Sequence, residues 1–219
     1  MARRDPALLP LVLSSALSVS FVAMRSLLVG HTSYLFLLWN LLLAWIPYGL
    51  ARLLAVGMRT PTNRALVFVL AVAFLGFLPN APYLVTDLVH LKVAASAPYW
   101  FDALMFASFA WSGLVLGIAA VRVTAHVVHE RLSKSASVAY VVVASALSAY
   151  GIYLGRFLRF NTWDAAFHPF SVARCSLAPL VNPREYSTAW LFTIMFSAFF
   201  LATYASLTTS SIACRARDS

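Results

Sequence analysis

Charged residues in this chain are so widely spaced that six stretches between them each have the length of a membrane-crossing helix. Nineteen residues separate Asp5 from Arg25, 26 separate Arg25 from Arg52, and 22 separate Arg64 from Asp87. The second half continues the pattern, with 19 between Asp102 and Arg122, 21 between Lys134 and Arg156, and 29 between Glu185 and Arg215. A bilayer core demands ~20 consecutive apolar residues in helical form, because a lone helix satisfies its own backbone hydrogen bonds in lipid. The expected fold is therefore all-α, a polytopic membrane bundle of about six helices. Their expected bounds are 7–24, 33–51, 65–78 with a half-helix at 81–91, 103–121, 136–156 and 187–210. Composition agrees: 62% of the 219 residues are hydrophobic, 11% are charged and the mean hydropathy is +0.82, which excludes a water-soluble monomer. No loop is long enough to fold separately, so residues 1–219 read as one membrane domain. The first span follows Arg3 and Arg4 as a secretory signal would, but Phe21-Val22-Ala23-Met24 offers no A-x-A cleavage site, and it reads as a retained helix.

The net charge of +9 is scattered between apolar runs instead of concentrated on one face, so membrane lipids, not nucleic acid, are the partners it implies. Nothing in the sequence sets an oligomeric state or a partner subunit. With six crossings, ten of the 16 basic residues and three of the seven acids fall on the side of the termini. The positive-inside rule then places both termini in the cytoplasm. Cys175 falls in the last outer loop and Cys214 at the inner end of the sixth helix, which excludes an internal disulfide and a Cys-rich zinc site. The chain contains no G-x-G-x-x-G, P-loop, G-x-S-x-G or H-E-x-x-H string, so no catalytic motif names a chemistry.

The densest polar information lies in FLPNAPYLVTDLVHL, Phe77 to Leu91. From Arg64, only 14 residues precede Pro79, a length of ~21 Å that falls short of a ~30 Å hydrocarbon core. Pro79 and Pro82 each lack a backbone donor and push the residues before them away from helical geometry, so a break is expected inside the membrane, with Asn80 capping the restarted helix. Asn80, Tyr83, Asp87 and His90 then follow at intervals of three, four and three, which is one face of a helix, while Leu84, Val85, Leu88 and Val89 cover the others. Ionisable groups at such depth mark functional sites; read separately, the same residues are a cap, an interface tyrosine and two solvated loop residues. Asn40, ~10 Å below the outer boundary in the second helix, is expected near the break, and Pro47 can bend that helix inward.

A second constellation, GIYLGRFLRFNTWD, runs from Gly151 to Asp164. Gly151 and Gly155 allow a neighbouring helix to approach closely, and Arg156 and Arg159 share a face suited to a phosphate or carboxylate, with Asn161, Trp163 and Asp164 following. The alternative is that these arginines snorkel to headgroups. Asp102, after Tyr99-Trp100-Phe101, fits the N-terminal turn of a helix, where an acid is favoured by the dipole. Asp87, His90 and Asp102 on one side are also a candidate set for a divalent metal, although D-x-x-H is a weak signal and no cofactor is required by the sequence. If Asp87 or His90 shares a cavity with Arg156, Arg159 or Asp164, their charges compensate one another.

The strings NLLLAWIPY (Asn40 to Tyr48), FLPNAPYLVTDLVHL, Tyr99-Trp100-Phe101-Asp102 and GRFLRFNTWD resemble a family of integral membrane proteins classed as domain of unknown function 1361. The resemblance covers most of the chain and implies a multi-spanning bacterial membrane protein; it carries no activity. Three classes of function fit the residues. One is an enzyme acting on an outer-leaflet lipid, with Asp87 and His90 as acid and base and the arginines holding charge. Another is a small-solute transporter using the broken helix as its binding site, although no second interrupted helix appears in the other half. The third is an assembly subunit whose polar residues lock helices together. The reading common to the first two is an outward-facing polar site for an anionic headgroup, a small anion or a metal.

Overall fold

In a computed structural model, which describes residues 5–30, 32, 34–60, 63–91, 98–158 and 169–215, the chain is helical and no strand occurs among the described residues. The elements are α1 (Leu8–Val29), α2 (Leu35–Arg59), α3 (Arg64–Phe77), α4 (Asn80–Thr86) with a 3-10 turn at Asp87–His90, α5 (Tyr99–Arg131), α6 (Lys134–Phe157), α7 (Pro169–Val181) and α8 (Ser187–Arg215). Among the described residues six helical segments are long and apolar enough to cross a membrane, with Arg64–His90 counted as one. This is the polytopic bundle the charge spacing predicts.

Helix ends follow local chemistry. Gly30, at φ 73°, closes α1 in the left-handed conformation, and its N–H donates to Ser26 O at 3.0 Å. Asn63 and Ser133 start α3 and α6 by accepting from the backbone N–H groups of Ala65 and Ala136 at 2.9 and 3.1 Å. Several bounds depart from expectation, that of α5 most, since it runs from Tyr99 to Arg131 instead of over 103–121. α1 continues past Arg25 to Val29 and α2 continues past Arg52 to Arg59, because both arginines are neutralised by carboxylates of the protein and so need not end a helix. Pro47 lies inside α2 without terminating it.

The interruption between α3 and α4 occurs where it was predicted, but it is gentler. Leu78 and Pro79 keep right-handed helical dihedrals, φ −52° and −56°, so Leu78 does not leave helical geometry as the following proline suggested. The ladder adapts instead: the Ala81 N–H reaches back three residues to Leu78 O at 3.3 Å, and Pro82 occupies the first turn of α4, where its missing donor costs little. Pro79 takes the cap position and Asn80 is the first helical residue, not the cap.

The chain packs as two compact units, Met1–Thr124 and Ala125–Ser219. In the first, α2 packs on α1, α3 and α4, around a core that includes Leu37, Leu41, Phe74, Leu84, Phe106 and Phe109. Polar ties cross that core: Ser18 and Ser112 hydroxyls lie 3.0 Å apart between α1 and α5, and Trp45 Nε1 donates to Ser15 Oγ at 3.1 Å. α4 rests directly on α5 at Gly113, where an added Cβ would lie 2.3 Å from Ala81 O. In the second unit α6 packs on α8 through a run of rings that includes Tyr150, Tyr153, Phe157 and Phe192. Trp190 Nε1 donates to Pro179 O at 3.0 Å, which ties α8 to α7.

Candidate functional site

Within the first unit the polar side chains gather at the end formed by the C-terminus of α1, the N-termini of α2 and α5, and the 3-10 turn after α4. Arg25 lies one turn before the end of α1, on the helix face that buries Leu11, Ser15, Ser18 and Val22. It meets Asp102, in the first turn of α5. Nε donates to Oδ1 at 2.7 Å and Nη2 to Oδ2 at 3.1 Å, with both side chains 2% exposed. A two-point pair of this kind is the arrangement in which a guanidinium and a carboxylate best offset the cost of leaving water. The third nitrogen, Nη1, is buried without a hydrogen-bond partner. The Tyr34 ring covers the guanidinium, with its centroid 4.4 Å from Cζ.

The second contact joins α2 to the interrupted helix. Asn40 Nδ2 donates to Asp87 Oδ2 at 2.8 Å, and Asp87 is 1% exposed. Asp87 is brought there by a face that also buries Ala81 and Leu84. A series of ring contacts links the two places. Tyr34 stands edge-on to Phe36 at 6.1 Å, and Phe36 stands edge-on to the His90 imidazole at 5.3 Å.

The sequence expectations are met in part. α2 packs on the α4 that follows the interruption, and Asn40 reaches Asp87 just past the end of α4. The uniform polar face does not form: Asp87 shares its buried face with Leu84, which the periodicity put elsewhere, whereas Asn80 and Tyr83 are half-buried and His90 is exposed. His90 is the last residue of the 3-10 turn, and its exposure reflects that terminal position, since a turn of three residues keeps positions 87 and 90 on one side. Asp102 is engaged by Arg25 and is more than a helix-end acid. Among the described residues no three His, Cys, Asp or Glu side chains assemble as a metal-binding group, so Asp87, His90 and Asp102 are not brought together as the candidate metal set. Arg156, half-buried in the last turn of α6, belongs to the second unit. Arg159, Asn161, Trp163 and Asp164 lie outside the described residues.

Arg25 and Tyr34 were missed. Arg25 was counted as a loop charge because it ended an apolar run, although Leu11, Ser15, Ser18, Val22 and Arg25 recur at four, three, four and three, the spacing of one helix face. At the other end of α1, Asp5 accepts hydrogen bonds from Tyr48 Oη, Arg52 Nη1 and the Ala7 N–H. Burial pushes the Asp5 carboxyl up, but those hydrogen bonds and the Arg52 charge outweigh it, and its pKa is lowered.

The profile of a family described as "Protein of unknown function (DUF1361)" matches residues 39–203, a stretch that holds Asn40, Asp87, His90 and Asp102 and leaves Arg25 and Tyr34 outside it. No curated protein and no solved structure matches the chain significantly.

Proposed function

The chain belongs to the DUF1361 family, and from that premise we propose that it is an inner-membrane protein of a bacterium that binds the anionic headgroup of an outer-leaflet lipid at Arg25. The observation that carries this reading is the buried Arg25 Nη1, whose N–H donors have no acceptor. Buried polar atoms without partners are few in folded proteins, and inside a membrane they mark places where a ligand supplies the missing group. Depth supports the same ligand. Arg25 lies four residues from Val29, ~6 Å along the helix from its end, where the phosphates of a leaflet meet the hydrocarbon. The excess of basic residues on the opposite side supports cytoplasmic termini and hence an outward-facing site.

The test is native mass spectrometry of delipidated protein titrated with phosphatidylglycerol, with diacylglycerol of the same chains, and with inorganic phosphate. Phosphatidylglycerol should bind at least ~tenfold more tightly than diacylglycerol, and an Arg25→Leu, Asp102→Leu double variant should lose that preference. Phosphate alone binding as tightly as the lipid would make the ligand a free anion. Equal binding of both lipids would overturn the reading.

One observation favours a second reading. The Arg25–Asp102 pair is two-point and closed on itself, as a structural lock between α1 and α5 would be. A lock predicts that the double variant loses stability without any change in lipid preference.

A further inference from the structure

We propose that Tyr34 is a gate over Arg25, held closed by its ring and displaced when a monoanionic phosphate oxygen takes the Nη1 donor. The inference rests on the headgroup-binding reading and adds what regulates access to that site.

Three observations converge on Tyr34. Its ring lies over the same guanidinium whose Nη1 has no acceptor, at 4.4 Å from Cζ to the ring centroid. Its backbone is left-handed, φ 67° and ψ 21°, and it is the one non-glycine residue with positive φ among the described residues. A bulky residue pays for that conformation, and such strain persists only where surrounding contacts enforce it. The contacts here are the cation beneath the ring and Phe106, edge-on at 5.0 Å. Tyr34 is also half-buried, so the residue that covers Arg25 is not itself sealed in the core.

These features describe two nearly balanced arrangements. Closed, the ring gains the cation–π contact and the backbone holds its strain; open, the strain is relieved and the contact is lost. The two contributions are of similar size. A ligand oxygen therefore needs only to replace the ring as partner of the guanidinium. Arg25 has the capacity: two of its nitrogens serve Asp102, and both N–H groups of Nη1 remain. Because Asp102 already neutralises Arg25, a singly charged phosphodiester suits the site better than a dianion.

The closed population lowers the apparent affinity by the fraction of molecules that are open. Removing the ring should remove that penalty. Tyr34→Gly and Tyr34→Asn both accept a left-handed backbone and lack the ring, so either one serves if the other misfolds. Purified full-length variants are titrated with phosphatidylglycerol in detergent, with diacylglycerol as the reference. The expected result is about twofold tighter phosphatidylglycerol binding for Tyr34→Gly and Tyr34→Asn, with Tyr34→Phe unchanged because its ring still covers Arg25. Unchanged or weaker binding in the ring-free variants, with a wild-type preference for phosphatidylglycerol intact, would overturn the gate and leave the headgroup site standing. Loss of the preference in the wild type and in every variant would overturn both.

Discussion

Arg25 and Asp102 close a two-point ion pair across 77 positions of sequence, Nε to Oδ1 at 2.7 Å and Nη2 to Oδ2 at 3.1 Å, with neither side chain more than 2% exposed. Breaking one half of such a pair strands the other charge. Arg25→Leu or Asp102→Leu alone should cost about 3–5 kcal/mol, whereas the double change should recover most of that loss. Thermal unfolding of the three variants in one detergent checks this, and additive losses would mean that the two charges do not compensate each other.

The seat of the interrupted helix gives a sharper steric test. At Gly113 an added Cβ would lie 2.3 Å from Ala81 O and 2.9 Å from Leu84 Cβ, so Gly113→Ala must push α4 off α5. Overpacking of this kind costs about 1–3 kcal/mol, and the displacement should also weaken the Asn40–Asp87 contact. Gly49, inside α2 with nothing within 4 Å, is the control. Gly49→Ala should be neutral or stabilising by up to about 1 kcal/mol. Equal unfolding temperatures for the two variants would show that α4 yields freely.

Acid should loosen the N-terminal end of α1 through Asp5. Its pKa is lowered in the folded chain, so its contribution to stability is complete above the ordinary carboxyl value of 3.8 and is lost as pH falls through the folded value. Asp5→Asn should remove that part of the pH dependence while leaving the rest of the profile in place. Detergent unfolding curves between pH 5 and pH 2 measure it; identical slopes for the two proteins would dissociate Asp5 from acid stability.

Orientation is open to direct labelling. The proposed orientation, with both termini in the cytoplasm, puts Cys175 of α7 on the outer side, and the thiol is partly exposed. In a Cys214→Ser background, an impermeant maleimide added to intact cells should modify Cys175. Labelling only after lysis would place the Arg25 site on the cytoplasmic side.

Helix number and placement were legible because they depend on one-dimensional quantities. The distances between charges reveal the spans, and Pro79 and Pro82 locate the interruption in the third. Asn40 and Asp87 were legible as polar residues of apolar helices, but counting residues set Asn40 near the Pro79 break and not against Asp87, which only the packing of α2 on α4 decides. The degree of the interruption was not legible. Whether Leu78 leaves helical geometry depends on whether packing at Phe74, Ala81 and Leu84 holds it there, and these side chains are nearly or wholly buried.

The sequence by itself determined that this chain crosses a membrane in six apolar helices, because hydrocarbon accepts no long segment whose backbone and charges are left unsatisfied. The recurrence of Leu11, Ser15, Ser18, Val22 and Arg25 on one face lay in it too, but a charge that ends an apolar run reads first as a loop boundary, and Arg25 was missed. Tertiary structure alone decided which acid Arg25 meets, which amide holds Asp87, and that Tyr34 lies over the guanidinium whose Nη1 has no hydrogen-bond partner. Those pairings join residues that are distant in sequence, and their geometry is set by how helices lean and rotate against one another, to which the period within any single helix is blind.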